Sequence, residues 1–287
     1  QSDPLGRGTP RAAQKSRWTE CRSYPLITYT DGGDIRQEAI ESGEAAREII
    51  VERITEDALL DRIDDLLSDG GCAGIVVNTI RRAQALTRLA RERFGRETVR
   101  LLHSQFLAPD RAEKEKELLR ELGKPGDETR RPDKRIVVGT QVLEQSLDID
   151  LDVLVTDLSP MDLLLQRIGR LHRHQRPRPE KLRKAHCLVL GADGDCFEEG
   201  SEFVYGRYPL MRARSLLPRQ LVLPRDIPEL VQDAYDDAVP LRPEPPEYRE
   251  SKEEWDKLIA IKERRADAFR IRPPISDDDL VDWLSTG

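Results

Sequence analysis

The chain has 287 residues, 38% of them hydrophobic and 35% charged, with four cysteines and a net charge of −7. That length allows one large or two modest domains around a real core, no apolar run approaches a membrane span, and no signal-peptide pattern opens the sequence. Cys21, Cys72, Cys187 and Cys196 lack metal-type spacing, so a reduced, cytoplasmic setting and no metal site are expected.

Residues 1–45 are mixed, with loop-like residues at the start and a turn at Gly32-Gly33. The sequence opens on Gln1, and we expect a fragment or a processed product. A strand is predicted over 47–53 and a helix over 55–67, with apolar residues at Leu59, Leu60, Ile63, Leu66 and Leu67 and a stop at Gly70-Gly71. A buried strand follows at 75–77. Thr79 is placed to cap a helix that runs to Phe94 and stops at Gly95. A strand at 98–102, a charged helix at 109–122 and a polar loop at 123–134 come next. Residues 135–140 and 152–157 read as buried strands. Ser159 is expected as the N-cap of the next helix, with Pro160 at its first position and Asp162 completing a capping box. Residues 185–190 are predicted to close the sheet. Strands alternating with helices predict an α/β fold, a parallel sheet with helices on both faces. From about 192 prolines become frequent, and a long polar helix over 247–269 and a short acidic one over 276–284 are expected.

Charge follows this division. Residues 226–287 hold 17 acids and 9 bases, whereas a dense basic stretch runs from Arg167 to Lys184. Its bases beyond Arg173 suit either a site or a solvated loop. Within it, Gln166, Arg170 and Arg173 stand at i, i+4 and i+7, which on one continuous helix puts them on a single face. Leu164, Ile168 and Leu171 share another face that can pack on a sheet. Guanidinium groups grip phosphate in a planar fork, so this trio suits a triphosphate, the plain alternative being a solvated basic helix.

Residues 138–150 (VGTQVLEQSLDID) and 166–173 (QRIGRLHR) resemble motifs V and VI of superfamily 2 helicases. Their wording, with 156–164 (TDLSPMDLL), 74–79 (GIVVNT) and 101–106 (LLHSQF), is similar to the CRISPR-associated helicase–nuclease of type I systems. The resemblance covers roughly residues 70–190. It implies a RecA-like sheet, the second of two, and a prokaryotic ATP-dependent DNA helicase recruited by the Cascade surveillance complex. Arg170 and Arg173 would then be arginine fingers, Gln166 would sit near the γ-phosphate, and Asp148 would touch the nucleotide sugar or an arginine finger, unless it is a turn or cap acid. Thr140 and Gln141, at a strand end, are placed to bind a phosphate of single-stranded DNA. Thr79 is either a second phosphate site or a plain cap. His103 and Ser104 match a DNA-backbone segment of the family, although His103 is as well read as a satisfied strand-end histidine. Arg167 is read as bracing the strand–helix junction or as touching nucleic acid.

No G-x-x-x-x-G-K-[ST] occurs, Asp127-Glu128 follows no apolar strand, and there is no His-Asp dipeptide. The Walker motifs, the Mg²⁺ that accompanies ATP, the nuclease and its metal ions are therefore expected in a missing N-terminal part, which with single-stranded DNA and Cascade makes up the expected partners. The expected domains are a leading segment at 1–45 packing on the helicase core, a second RecA-like domain at 46–195, and a linker with a mainly helical accessory region at 196–287. Translocation would run 3′ to 5′ by resemblance. The competing reading is a stand-alone RecA-like adaptor that binds nucleic acid or protein without hydrolysing ATP.

Overall fold

The computed structural model describes residues 21–269 apart from 33, 42, 44, 127–129, 146, 195 and 196. The short acidic helix expected at 276–284 lies outside the described residues, as does most of the leading segment. The chain forms two compact units. One comprises, among the described residues, 21, 28–37 and 249–269; the other comprises 22–27 and 38–248. Strands β1 (Leu26–Asp31) and β2 (Asp34–Ala39) make a two-stranded sheet. No helix among the described residues is long and apolar enough to cross a membrane.

The larger unit is built on one seven-stranded sheet. Its strands are β3 (Arg47–Ile54), β4 (Gly71–Val76), β5 (Val99–Leu102), β6 (Lys134–Gly139), β7 (Val153–Asp157), β8 (Ala185–Leu190) and β9 (Gln220–Leu223). They lie in the order β5-β6-β4-β7-β8-β3-β9. The first six run parallel, and β9 pairs antiparallel with β3, Leu221 opposite Ile49. This is the α/β sheet the alternating elements predict. Residues 185–190 do not close it, however: β3 and β9 lie beyond β8. The run Gln220–Leu223 is bracketed by Pro218 and Pro224, which makes it look irregular in sequence. Burial of Leu221 and Leu223 on the sheet outweighs that punctuation.

Alternation along the strands sends side chains to two faces. Ala73, Ile75, Ile136, Val138, Val153 and Val155 pack with helices α1 (Glu56–Leu66) and α2 (Ile80–Phe94). Val76, Val137 and Leu154 face the other way, toward α3 (Ala108–Leu122), α5 (Met161–Ile168) and α7 (Arg207–Leu216). Four further helices complete the described fold: α4 (Val142–Gln145), α6 (Glu199–Tyr205), α8 (Ile227–Tyr235) and α9 (Tyr248–Ala268). Thr79 caps α2 as expected, its hydroxyl accepting from the Arg82 N–H at 3.3 Å.

Two local expectations fail around α5. Pro160, not Ser159, holds the N-cap position, and no side-chain cap forms. The Ser159 hydroxyl is buried without a partner among the described residues, while Asp162 accepts a hydrogen bond from the Tyr235 hydroxyl at 2.5 Å. The helix also stops at Ile168, so Arg170 and Arg173 are not on it. Gly169 is its C-cap, and His172 adopts a left-handed φ of 48°. Leu171 instead forms a parallel bridge to Leu151, just ahead of β7. The Leu151 N–H donates to the Arg170 carbonyl at 3.0 Å, and the His172 N–H donates to the Leu151 carbonyl at 3.0 Å. The helical spacing fails because a weak helix former at 169 meets a backbone segment whose polar groups need partners.

Gly139 ends β6 opposite Leu102, where an added Cβ would lie 2.5 Å from the Leu102 carbonyl oxygen and 2.7 Å from Leu143 Cδ1. Gly139→Ala should therefore destabilise the chain by about 1–3 kcal/mol through overpacking. Denaturant unfolding checks this, with a lower midpoint at unchanged slope as the expected result.

Candidate functional site

Because β5, β6 and β4 are neighbours and run parallel, their carboxyl ends meet at one edge of the sheet. Loops at this edge of open α/β sheets hold ligands. The edge gathers Thr79, His103, Ser104, Thr140 and Gln141. It does not expose them equally. Ser104 is exposed, Thr79 and Gln141 are partly so, and Thr140 and His103 are buried. The Thr140 side chain does not face solvent, so the expected contact between its hydroxyl and DNA is not available in this conformation. His103 stacks on Phe106, ring centroids 4.2 Å apart. Burial holds its imidazole below the usual histidine range, against a backbone hydrogen bond that raises it. Gln141 Nε2 donates to the Tyr205 hydroxyl at 3.1 Å and to the Asn78 carbonyl at 3.3 Å.

Beneath this edge lies Arg167, fully buried. Its Nε donates to Glu144 Oε2 at 2.6 Å, Nη1 to Thr156 Oγ1 at 2.9 Å and to the Asp157 carbonyl at 3.2 Å, and Nη2 to Asn78 Oδ1 at 3.0 Å and the Tyr205 hydroxyl at 3.1 Å. Of its two readings, burial supports the brace. A guanidinium enclosed on every side by this chain cannot touch nucleic acid. Asn78 is held in turn: its N–H donates to Asp157 and its amide to the Leu158 carbonyl and Ser201 Oγ. Burial pushes the Asp157 carboxyl up, and the neighbouring Arg82, at 2.9 Å, works against that rise.

Glu144 also reaches the second group of residues. Its carbonyl accepts from Arg170 Nη2. Gln166, Arg170 and Arg173 line one open cleft of about 610 Å³, with Arg47, Glu144 and Asp162 among its other walls. Though not on one helix face, the three still converge, because the Leu151–Leu171 bridge folds the turn back beside α5. Arg47, which no sequence signal marked, secures that turn by donating to the Leu171 carbonyl at 2.9 Å. The Nε of Arg170 is buried with no hydrogen-bond partner among the described residues. Burial, and then the charge of Arg173, lower its proton affinity, although a guanidinium stays charged near neutrality. Arg173 pairs with Asp148, whose other oxygen lies 3.3 Å from His174 Nε2. Burial raises the Asp148 carboxyl, but the Arg173 bond and the nearby cations outweigh it and hold it below the usual range. An orphaned donor beside two cations and a glutamine suits an anionic phosphate.

Of the bases beyond Arg173, Lys181, Arg183 and Lys184 are exposed, as a solvated loop would have them, whereas Arg176 and Arg178 are held by internal acids. Arg178 pairs with Asp150 at 2.9 Å and with Asp152, Arg176 with Asp150 at 2.5 Å, and Arg131 with Asp152 at 2.7 Å. Both carboxylates are buried. Buried charges persist only when paired, and sequence order concealed that these acids and bases meet.

Residues 69–176 match a family model described as CRISPR-associated nuclease/helicase Cas3, C-terminal. A CRISPR-associated nuclease/helicase Cas3 of Streptococcus thermophilus is 45% identical over 273 residues, which cover 91% of this chain and 29% of that protein. The chain thus spans under a third of that relative. A crystal structure of T. fusca Cas3-ATP superposes with a TM-score of 0.75 at 27% identity, over 89% of this chain and 32% of that one. A chain from a CRISPR RNA-guided surveillance complex, pre-nicking, superposes at 0.73 and 28% identity, over 89% and 33%.

Two outcomes follow from this geometry. Arg167→Met should strand the Glu144 carboxylate in the interior and cost about 3–5 kcal/mol, read as a lower thermal midpoint. His172 tests the charge balance. Burial, aided by the charge of Arg178, pushes its imidazole down to about 4 from 6.5. The unfolded chain therefore binds the proton first as pH falls, so this contribution to stability is complete above about 6.5 and is lost on the way down to about 4. His172→Asn, which tolerates the left-handed φ, should flatten the fall in unfolding midpoint across that window; an unaltered slope would refute the assignment.

Proposed function

This chain belongs, through its Cas3-like C-terminal domain, to the family of the CRISPR-associated nuclease/helicase Cas3, and on that premise we propose that it supplies half of an ATP-dependent single-stranded-DNA translocase acting in CRISPR interference. Residues 46–195 are the second RecA-like domain in this reading, residues 1–45 a leading segment, and 196–287 a linker and accessory region. The Walker motifs, with their Mg²⁺, and the metal-dependent nuclease belong to a preceding part of the protein, and Cascade is the recruiting partner.

The observation that carries the reading is the convergence of Arg170, Arg173 and Gln166 on one cleft, with the Nε of Arg170 unpartnered among the described residues. ATP held on the preceding RecA-like domain would supply the free energy of γ-phosphate release. Arg170 and Arg173 would stabilise the charge that develops there, as arginine fingers do. Gln166 would sit beside the γ-phosphate, and Asp148 would keep Arg173 oriented. Relatives of this chain bound to ATP and to AMPPNP support a nucleotide in the cleft.

Glu144 links the two ends of the site. Its carboxylate grips Arg167 and its carbonyl receives Arg170. A displacement of Arg170 would therefore be felt along 140–150, the segment that starts with Thr140 and Gln141 at the DNA-facing edge. There Ser104, Thr79 and backbone N–H groups would bear the contacts to single-stranded DNA, moved 3′ to 5′ as in the helicases the motifs resemble. The adaptor reading leaves the unpartnered Arg170 donor without a role.

In the complete protein, Arg170→Ala should lower DNA-stimulated ATP hydrolysis by about 10³–10⁵ while leaving single-stranded-DNA affinity largely intact. Steady-state hydrolysis and fluorescence anisotropy on the same preparation decide it. Hydrolysis at the wild-type rate would defeat the proposal.

A further inference from the structure

β5 is an outer strand of the large sheet, paired on one side with β6 and open on the other among the described residues. Helix α2 flanks this free edge on one face of the sheet and α3 on the other. Between them run two open clefts, of about 480 and 330 Å³, which share Arg91 and Leu101 and so form one trough. Arg88, Arg91 and Arg96 line it. All three are exposed, and none makes a side-chain ion pair or hydrogen bond with any described residue. Elsewhere in a chain of net charge −7, Arg62, Arg82, Arg93, Arg135 and Arg178 face carboxylates; what distinguishes Arg88, Arg91 and Arg96 is that they share one trough. Of the acids in the trough, Glu121 is already held by Arg135. Glu92 and Glu117 leave the trough positive once Arg100 and Lys114 are counted.

The trough has a direction. At one end its wall is Phe106, whose ring stacks on His103 and carries the Lys114 ammonium 5.0 Å from its centroid. His103 and Ser104 belong to the strand-end edge proposed above to meet single-stranded DNA. The basic track therefore continues from that edge, around the outer strand, toward the carboxyl end of α2.

We propose that this trough holds the phosphate backbone of single-stranded DNA beyond the strand-end site, an extension that rests on the DNA-translocase reading and adds a second contact region to it. The chemistry fits backbone contact without base readout. Unpaired guanidiniums suit phosphate oxygens. The one aromatic ring present is already sandwiched, so no stacking platform is offered.

The test uses the full chain with Arg88→Gln, Arg91→Gln and Arg96→Gln combined, titrated with a short and a long oligothymidylate over a range of salt. The long strand should bind more weakly than to wild type, and the slope of log affinity against log salt should flatten by about 2, roughly 0.7 for each lost contact. The short strand, which reaches only the strand-end edge, should bind as before, and the thermal midpoint should hold because the three side chains are exposed. An unchanged slope with the long strand overturns the trough while leaving the strand-end site standing. Loss of affinity for both strands equally overturns it as well, since the arginines would then act on the shared edge. Wild-type protein that binds neither strand removes the DNA reading and the trough together. Binding of poly-glutamate that depends on the three arginines, with DNA binding unaltered, assigns the trough to an acidic protein instead.

Discussion

A fully buried ion pair, Arg167 with Glu144, ties this structure together. The guanidinium gathers Asn78 after β4, Thr156 and the Asp157 carbonyl at the end of β7, Glu144 in α4 and Tyr205 in α6. A charge enclosed in protein is tolerable only when its hydrogen-bonding capacity is met. Here that demand fixes where four segments lie relative to one another. The strand ends are consequently a built surface, and the turn bearing Arg170 is anchored to the same glutamate.

The remaining charges sort into three kinds. Asp150 and Asp152 are interior acids, neutralised by Arg131, Arg176 and Arg178 at the start of β7. Asp148 and Arg173 form a half-exposed pair at the mouth of a cleft, where water weakens the attraction and a phosphate can compete for the arginine. Arg88, Arg91 and Arg96 have no partner among the described residues. Net charge alone argues against a polyanion ligand; the local pairing reverses that inference, because most of the acid is spent on internal contacts or lies toward the carboxyl end of the chain.

The fold was largely legible because its signals are local. Short buried runs such as 135–140 and 152–157 can only be interior strands, and Thr79 with Gly95 brackets a helix by capping chemistry alone. Legibility failed where a tertiary pairing competed with a local preference. Leu171 has the spacing of a helical core residue yet bridges to Leu151. Leu221 and Leu223 sit among prolines yet complete the sheet. Ser159 has the chemistry of a cap yet is buried, with Pro160 in its place.

The sequence by itself determined the chemistry available: an α/β sheet, a set of polar and cationic residues at strand ends, and a family resemblance now matched by the Cas3-like C-terminal domain. It also named Gln166, Arg170 and Arg173 as one cluster, although for a reason, a continuous helix, that does not hold. Only the tertiary structure decided which side chains are free to act. It buried Thr140 and Arg167, matched Arg176 and Arg178 with acids 26 to 28 residues earlier in the chain, and left the Nε of Arg170 unpaired among the described residues. The physical reason is that burial and charge pairing depend on contacts between distant segments, which composition and spacing do not encode.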